Sequence, residues 1–310
     1  TEVEVVLDGT PFYAESGGQV GDAGRILGPG GEVVVRDAYY GAEGLIVHRG
    51  RLQGSLEVGE TVRAEVDAER RLAVSRNHSA THILHWAIRQ VMGDHARQAG
   101  SLVAPERLRF DFTHFEPLTE EQLKAIEDLA NRRVLENAPV SARVTSREEA
   151  LRGGAVALFG EKYGDTVRVV QMGSFSSELC GGIHVERTGA VGPIRIVSES
   201  GIGAGLRRIE ATSGFATLQH YRETESVLKE AAGILKVETG RITSRLAEVM
   251  NRLGELEKSL SHYSSREADK VAEGLLKTGK KVEAKGTVAL FAVVDGIEQK
   301  SRRDVADAVM

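Results

Sequence analysis

Two short pairs of side chains, about a hundred residues apart, constrain this chain more than any other feature in it. His78 and His82 stand four apart in SRNHSATHILHWAIRQVM, and Cys180 and His184 stand four apart in LCGGIHVE. On a helix, the first pair projects two imidazoles from one face, a turn apart. The two glycines between thiol and imidazole let the second segment curl around one ion without a Cβ in the way. Together the four complete a tetrahedral set of three nitrogens and one sulfur. Mixed N and S donors with no redox demand favour zinc over iron or copper. Such a set is compatible with a closed structural site and with a catalytic one in which a ligand yields. Any fold that satisfies it must carry residue 184 back against residue 78. His85, one turn beyond His82, and His114, after RLRFDF, are further candidates for a substitute ligand or an outer contact.

Cys180 is the one cysteine of 310 residues, so no disulfide forms within the chain, which fits a reducing cytoplasm. The length suits about two domains, and 41% hydrophobic with 27% charged residues is ordinary globular composition. No apolar run approaches the roughly 18 residues of a membrane span, so none is expected. The start TEVEVVLDG lacks the basic and apolar parts of a secretion signal. A beginning at Thr1 and an end at ADAVM read as a piece of a larger protein. The net charge of −5 does not advertise nucleic acid, so a phosphate-binding surface would have to be local. Its candidates are Arg70, Arg71 and Arg76, then Arg132 and Arg133, then Arg195, Arg207 and Arg208.

The patterning predicts an α+β chain in four parts. Residues 1–66 alternate short apolar runs with glycine turns, a small antiparallel, barrel-like β domain; SGGQVGDAG at 16–24 is too rich in glycine for a plain hairpin. Residues 67–214 form an α+β core. Its first helix carries apolar Leu72, Ile83, Leu84, Ala87, Ile88 and Val91, with Ser75 or Asn77 expected as cap. RLRFDF is a strand, and Thr119 caps a second helix that has Glu120 and Glu121 in its first turn. PVSARVTSREEALRG gives a strand and a short helix. TVRVVQMG, GGIHVERTG, PIRIVSESGIG and GLRRIEATSG read as strands. Residues 215–272 form a helical hairpin or coiled coil. Gly233 and Gly240 bracket a break, and Leu246, Val249, Leu253, Leu256, Leu260 and Tyr263 recur at heptad spacing. The alternative is a single amphipathic helix. Residues 273–310 are a basic linker, KTGKKVEAKG, and a truncated α/β piece with a buried-type strand, TVALFAVVDG, and a helix from IEQKSRR.

RNHSATHILH at 76–85, RLRFDFTH at 107–114 and SSELCGGIHVERTGAVGPIRIVSESGIGAGLRRIEATSG at 176–214 resemble the editing domain of alanyl-tRNA synthetases and their freestanding relatives. SGGQVGDAG resembles the glycine-rich motif that precedes that domain. The similarity covers residues 1–214 nearly end to end. The helical stretch and following strand resemble the oligomerisation segment and the start of the C-terminal domain of the same family; the aminoacylation domain is absent. Threonyl-type editing domains usually lack the GGQVGD loop and space the Cys and His differently. One departure is Ile183, where the family usually has Thr.

The resemblance implies hydrolysis of serine or glycine wrongly esterified to the tRNA for alanine. It implies zinc on His78, His82, Cys180 and His184, homo-oligomerisation through residues 215–310, and a cytoplasmic protein. Gln19 would place its amide near the substrate or merely decorate a turn. The Thr81 hydroxyl would meet the substrate or bond a backbone carbonyl one turn back. Arg207 and Arg208 would meet tRNA phosphates. A non-catalytic tRNA-binding or assembly module with structural zinc is the rival reading.

Overall fold

The computed structural model describes residues 1–42, 44–157, 164–285, 287–293 and 301–309. Packing divides the chain into two compact units, Thr1–Glu223 and Thr224–Met310.

Unit 1 opens with a five-stranded antiparallel sheet: β1 (Glu2–Val6), β2 (Gly24–Gly28), β3 (Gly31–Ala42), β4 (Leu45–Gly54) and β5 (Arg63–Val66), in the order β1-β4-β3-β2-β5. Phe12, Ile26, Val33, Val35 and Ala38 fill its buried face. Among the described residues β1 and β5 are edges, so hydrogen bonding does not close the expected barrel. The glycine-rich segment crosses from this sheet to the rest of the unit. Gly17 and Gly18 have positive φ, which a glycine adopts without strain. They turn the chain so that Gln19 runs beside Val103, with Val20 N–H donating to Val103 O (3.1 Å) and Val103 N–H to Gly18 O (2.7 Å).

The centre of the unit is α1 (Ala68–Met92). Its cap is Asp67, whose carboxylate accepts from Arg70 N–H, and not Ser75 or Asn77 as the sequence suggested. Both of those sit inside the helix with their polar groups engaged elsewhere. Ser75 Oγ donates to Leu72 O, and Asn77 Nδ2 donates to Ala104 O (2.7 Å) and Pro105 O (3.1 Å). From Asn77 to His85 every residue of α1 is buried. A helix buried on all sides is a core helix, and apolar periodicity alone does not reveal one whose buried positions are half polar. Leu72, placed on the apolar face by the sequence, is exposed.

Around α1 lie β6 (Gln98–Val103), β7 (Leu108–Thr113), α2 (Glu120–Leu135), β8 (Val140–Ser146), α3 (Arg147–Arg152), β9 (Thr166–Met172), β10 (Ser176–Leu179), β11 (Ile194–Gly203) and β12 (Leu206–Ser213). They form two antiparallel sheets, β11-β12-β7-β6 and β10-β9-β8. Thr119 caps α2 in a reciprocal box with Gln122, as expected of that residue. Ile83, Leu84 and Ile88 pack in one core with Phe110, Phe112, Ile126 and Ile209. GGIHVERTG is not the strand its pattern suggested. It is a loop ending in a short 3-10 turn at Thr188–Val191, and the strand of this region is the unforeseen β10 just before it. The loop's backbone groups are taken largely by side chains, Ile183 N–H by Gln19, Val185 N–H by Ser79 and Gly182 O by Arg168, so they form no regular ladder.

The helix α4 (Phe215–Leu235) leaves unit 1. Unit 2 holds α5 (Ile242–Thr278), a hairpin of β13 (Lys280–Ala284) and β14 (Thr287–Phe291), and α6 (Ser301–Val309), which packs on α5. The break near Gly240 is present as a short 3-10 turn. The basic stretch 277–286 is not a linker: it ends α5 and then pairs as β13. The hairpin is antiparallel, so the described part of this piece has no parallel α/β character. The seam from Leu246 to Tyr263 stays exposed, and among the described residues no helix packs into it. IEQK of the last expected helix lies outside the described residues.

A lone two-stranded hairpin is marginal in water. Amides of β14 are therefore expected to exchange with deuterium orders of magnitude faster than those of β12, which is paired on both sides. Equal protection in a proven monomer would contradict this account.

Candidate metal centre

The structure brings the two pairs together. The ligand atoms of His78, His82, Cys180 and His184 all lie within 4.8 Å of one another. Cys180 Sγ is 3.3 Å from both His78 Nε2 and His184 Nε2. Edges of that length suit donors about 2.0–2.3 Å from a shared tetrahedral ion. Close approach is possible because residue 182 is glycine: a Cβ there would run into the His78 ring.

Each imidazole is fixed from behind through Nδ1, by a different group. His78 Nδ1 lies 2.7 Å from Gln19 Oε1, His82 Nδ1 lies 2.8 Å from Glu178 Oε2, and His184 Nδ1 lies 3.2 Å from Ser79 Oγ. An Nδ1–H held outward leaves the Nε2 lone pair facing the cluster, as a metal-binding histidine requires. His82 Nε2 is buried and has no hydrogen-bond partner among the described residues. An orphan at that point is costly unless something else occupies its lone pair. The donor set, the outer contacts and this orphan all fit a divalent cation of the zinc type.

Gln19 is more than a turn residue: its Nε2 is buried without a hydrogen-bond partner among the described residues, and its Oε1 joins the cluster. Its Oε1 accepts from His78 and also from Ile183 N–H (2.9 Å), so the glycine-rich loop locks both ligand segments at once. Ile183 enters that network through its backbone, which the missing hydroxyl of Thr does not affect. Gln19 is itself held by a clamp behind it. Asp22 accepts from Tyr13 N–H (2.7 Å) and from Arg71 Nε (3.1 Å), and Arg70 Nη1 donates to Gly21 O (2.7 Å). Those two arginines anchor the loop to α1 and are not spare phosphate ligands.

Glu178 was not foreseen, although it stands two residues before the ligand cysteine. It is buried and takes His82, His85 Nδ1 (3.3 Å) and Ser176 Oγ (3.1 Å) on one carboxylate. His85 is therefore an outer contact, as one of its expected roles had it. His114 lies elsewhere, 2.9 Å from His95. Thr81 Oγ1 donates to Asn77 O (2.8 Å), yet the residue also lines the cavity next to the cluster. Arg207 pairs with Glu199 (2.5 Å), and Arg208 takes both oxygens of Asp111 (2.7 and 2.8 Å), so each guanidinium is already neutralised.

The charges are interlocked. Burial resists ionisation of Glu178, but His82 and His85 outweigh it and hold the carboxyl below its usual range. Burial likewise resists charge on His82, but Glu178 and Cys180 overcome it and push His82 up to about 10. Burial raises the Cys180 thiol, yet His78 and His82 bring it well below its usual value. Burial and the neighbouring His78 push His184 down to about 3.

A cavity of roughly 240 Å³ opens on the cluster, with His78, His82, Cys180, Thr81, Gln98 and Arg168 in its walls. Gln98 and Arg168 carry no sequence signal of their own, since a pocket wall is assembled from strands distant in the chain.

Comparison with known proteins follows the same lines. Residues 1–70 match the family described as tRNA synthetases class II (A), and residues 167–210 match the threonyl and alanyl tRNA synthetase second additional domain. Alanine–tRNA ligase of Paraburkholderia xenovorans is 46% identical over 304 residues, 98% of this chain and 34% of that protein. The same enzyme of Acetivibrio thermocellus is 44% identical over 308 residues, 99% of this chain and 35% of its own length. The chain belongs to the alanyl-tRNA synthetase family. It spans about a third of the length of the relatives it matches. The match over residues 167–210 contains Cys180 and His184, whereas His78 and His82 lie in neither matched segment. Among the described residues no helix is long and apolar enough to cross a membrane.

Two results are expected from this geometry. Purified protein should hold about one zinc per chain, and its binding should weaken as pH falls. Glu178 and Cys180 favour a proton on His82 that the metal must displace, so the bound form holds fewer protons and affinity falls as pH drops. Calorimetry in buffers of different ionisation enthalpy should show proton release at pH 7. Glu178→Gln should lower zinc affinity about 10–100-fold, as loss of an outer carboxylate does elsewhere; unchanged affinity would remove Glu178 from the site.

Proposed function

We propose that this chain carries the hydrolytic site that clears serine and glycine from the tRNA for alanine. What supports the reading above all is that three of the four cluster residues form a wall of an open, polar cavity. A purely structural ion has no use for a cavity against its ligands. The volume is below the roughly 300–1,000 Å³ of drug-sized sites and suits a small amino acid esterified to a ribose. Alanine–tRNA ligases are the relatives of this chain, and the need for such a site is physical. A synthetic pocket shaped for a methyl group cannot exclude hydrogen and rejects an added hydroxyl only about a hundredfold, so a second, hydrolytic site must supply the rest.

The residues divide the work. Gln19, Glu178 and Ser79 hold the three imidazoles in one orientation. Bound zinc would supply electrophilic assistance to cleavage of the ester. Thr81 gives its proton to Asn77 O, so its oxygen has lone pairs for a substrate donor such as the serine hydroxyl. A hydroxyl contact cannot serve glycine, which must be admitted by size alone. The tRNA for alanine is the partner in this reading and the cytoplasm its setting. The four-part division at residues 66, 214 and 272 gives each part a task. Residues 215–310 serve homo-oligomerisation, supported by the exposed seam on α5.

A second reading has one observation in its favour. Four protein ligands already fill a tetrahedral shell, as in structural zinc sites of tRNA-binding or assembly modules. Single-turnover deacylation of seryl-, glycyl- and alanyl-tRNA for alanine separates the two. Wild type should cleave the first two and spare the third, and Cys180→Ala should slow both cleavages at least about tenfold. Equal seryl rates for wild type and Cys180→Ala would leave the structural reading standing. Thr81→Val should shift the serine-to-alanine ratio if the hydroxyl oxygen meets the substrate, and leave it unchanged if the group serves only Asn77.

A further inference from the structure

Among the described residues, Arg168 on β9 is the one permanently charged side chain in the cavity wall. Among the described residues that wall includes no Asp, Glu or Lys. The guanidinium is held from one side only. Its Nη1 donates to Cys180 O (3.0 Å) and to Gly182 O (2.8 Å), while Cys180 N–H donates back to Arg168 O (3.0 Å). Those two bonds use both protons of Nη1. The opposite edge, Nε with Nη2, meets no acceptor among the described residues. Two parallel N–H groups on a planar cation form the fork that takes two oxygens of one phosphate or carboxylate. The contrast with Arg207 and Arg208 is direct, since each of those is paired with a carboxylate, Glu199 and Asp111.

The geometry points to Arg168 as an anion subsite of this cavity, one that grips the 5′-phosphate of the terminal nucleotide carrying the ester. This rests on the editing reading for the identity of the nucleotide, though the anion subsite stands on the cavity alone. The inner amine keeps the Cys180–Gly182 segment in place, and the outer edge sets how far the nucleotide enters. Phosphate contacts of this kind position a ligand without reading its base. Arg168 is thus a positioning residue: its loss should raise KM for a phosphate-bearing substrate and change kcat little.

The test uses the zinc-loaded full chain with adenosine and 5′-AMP as probes in calorimetry, comparing wild type, Arg168→Gln and Arg168→Lys. Wild type should bind 5′-AMP about tenfold or more tightly than adenosine, the scale of a charge-assisted hydrogen-bonded contact. Compared at equal zinc occupancy, Arg168→Gln should lose most of that preference, and Arg168→Lys should restore part of it. Seryl esters of the same two probes should repeat the pattern in KM. An undiminished preference in Arg168→Gln overturns the inference, as does a wild type with no preference. Because Nη1 also braces Cys180 and Gly182, zinc content is measured for each variant, and the wild-type preference decides where Arg168→Gln does not hold the ion. If wild type leaves both seryl esters intact but keeps its 5′-AMP preference, the editing reading fails and the anion subsite stands.

Discussion

Histidines inside a helix buried on every side need a partner for each ring nitrogen, and that requirement organises unit 1. An unpaired polar group in such a place costs of the order of 1–3 kcal/mol. His78 and His82 lie in α1 at 6% and 4% exposure and meet solvent only through the cavity beside the cluster. Their Nδ1 atoms are answered by Gln19 from the glycine-rich loop and by Glu178 from β10. Their Nε2 atoms face the sulfur and imidazole of the loop after β10. The glycine-rich loop and the segment from β10 to His184, far apart in sequence, are thereby tied to one helix. The first sheet, the loop at 16–24 and the Cys180–His184 turn each take their position from what α1 must satisfy.

The outer contacts also grade the ligands. A full carboxylate stands behind His82, an amide oxygen behind His78 and a hydroxyl behind His184. The charge of the partner feeds through the ring to the basicity of the far nitrogen. The same arrangement explains why the cluster tolerates burial. A thiolate among imidazoles, with Glu178 shared by His82 and His85, balances charges that no single member could keep in this environment. The glycine-rich loop is a structural part of the centre for the same reason. Through Gln19 it touches both ligand segments, and through Asp22 and Arg71 it is fastened to the helix that supplies two of them.

Unit 2 follows a looser logic. Its long helix presents an apolar seam that packs nothing among the described residues, and its hairpin stands as a single pair of strands. Heptad spacing made the seam legible, because such spacing reports which face is apolar. It does not report what covers that face. The hairpin shows the same limit from the other side. KTGKKVEAKG looked like a linker because lysines and glycines dominate it, yet pairing of Lys280–Ala284 with Thr287–Phe291 uses the backbone, to which composition is blind.

The four residues of the candidate centre were legible from residue type and spacing alone. A thiol with an imidazole four residues on, and two imidazoles a helical turn apart, have few other uses together. The capping box at Thr119 and the antiparallel strands at 108–113 and 206–213 were equally local, set by periods and end signals a few residues long. What only tertiary structure decided is which polar side chain answers which. Gln19 braces His78 through its Oε1. Glu178 and Ser79 proved to be the brackets of the other two rings. Arg207 and Arg208 were claimed by carboxylates on neighbouring strands, while Arg168 was brought to the cavity. Hydrogen bonds and ion pairs act over about 3 Å in space without regard to distance along the chain. A sequence therefore names the groups that need partners, and the fold alone decides which partner each one meets.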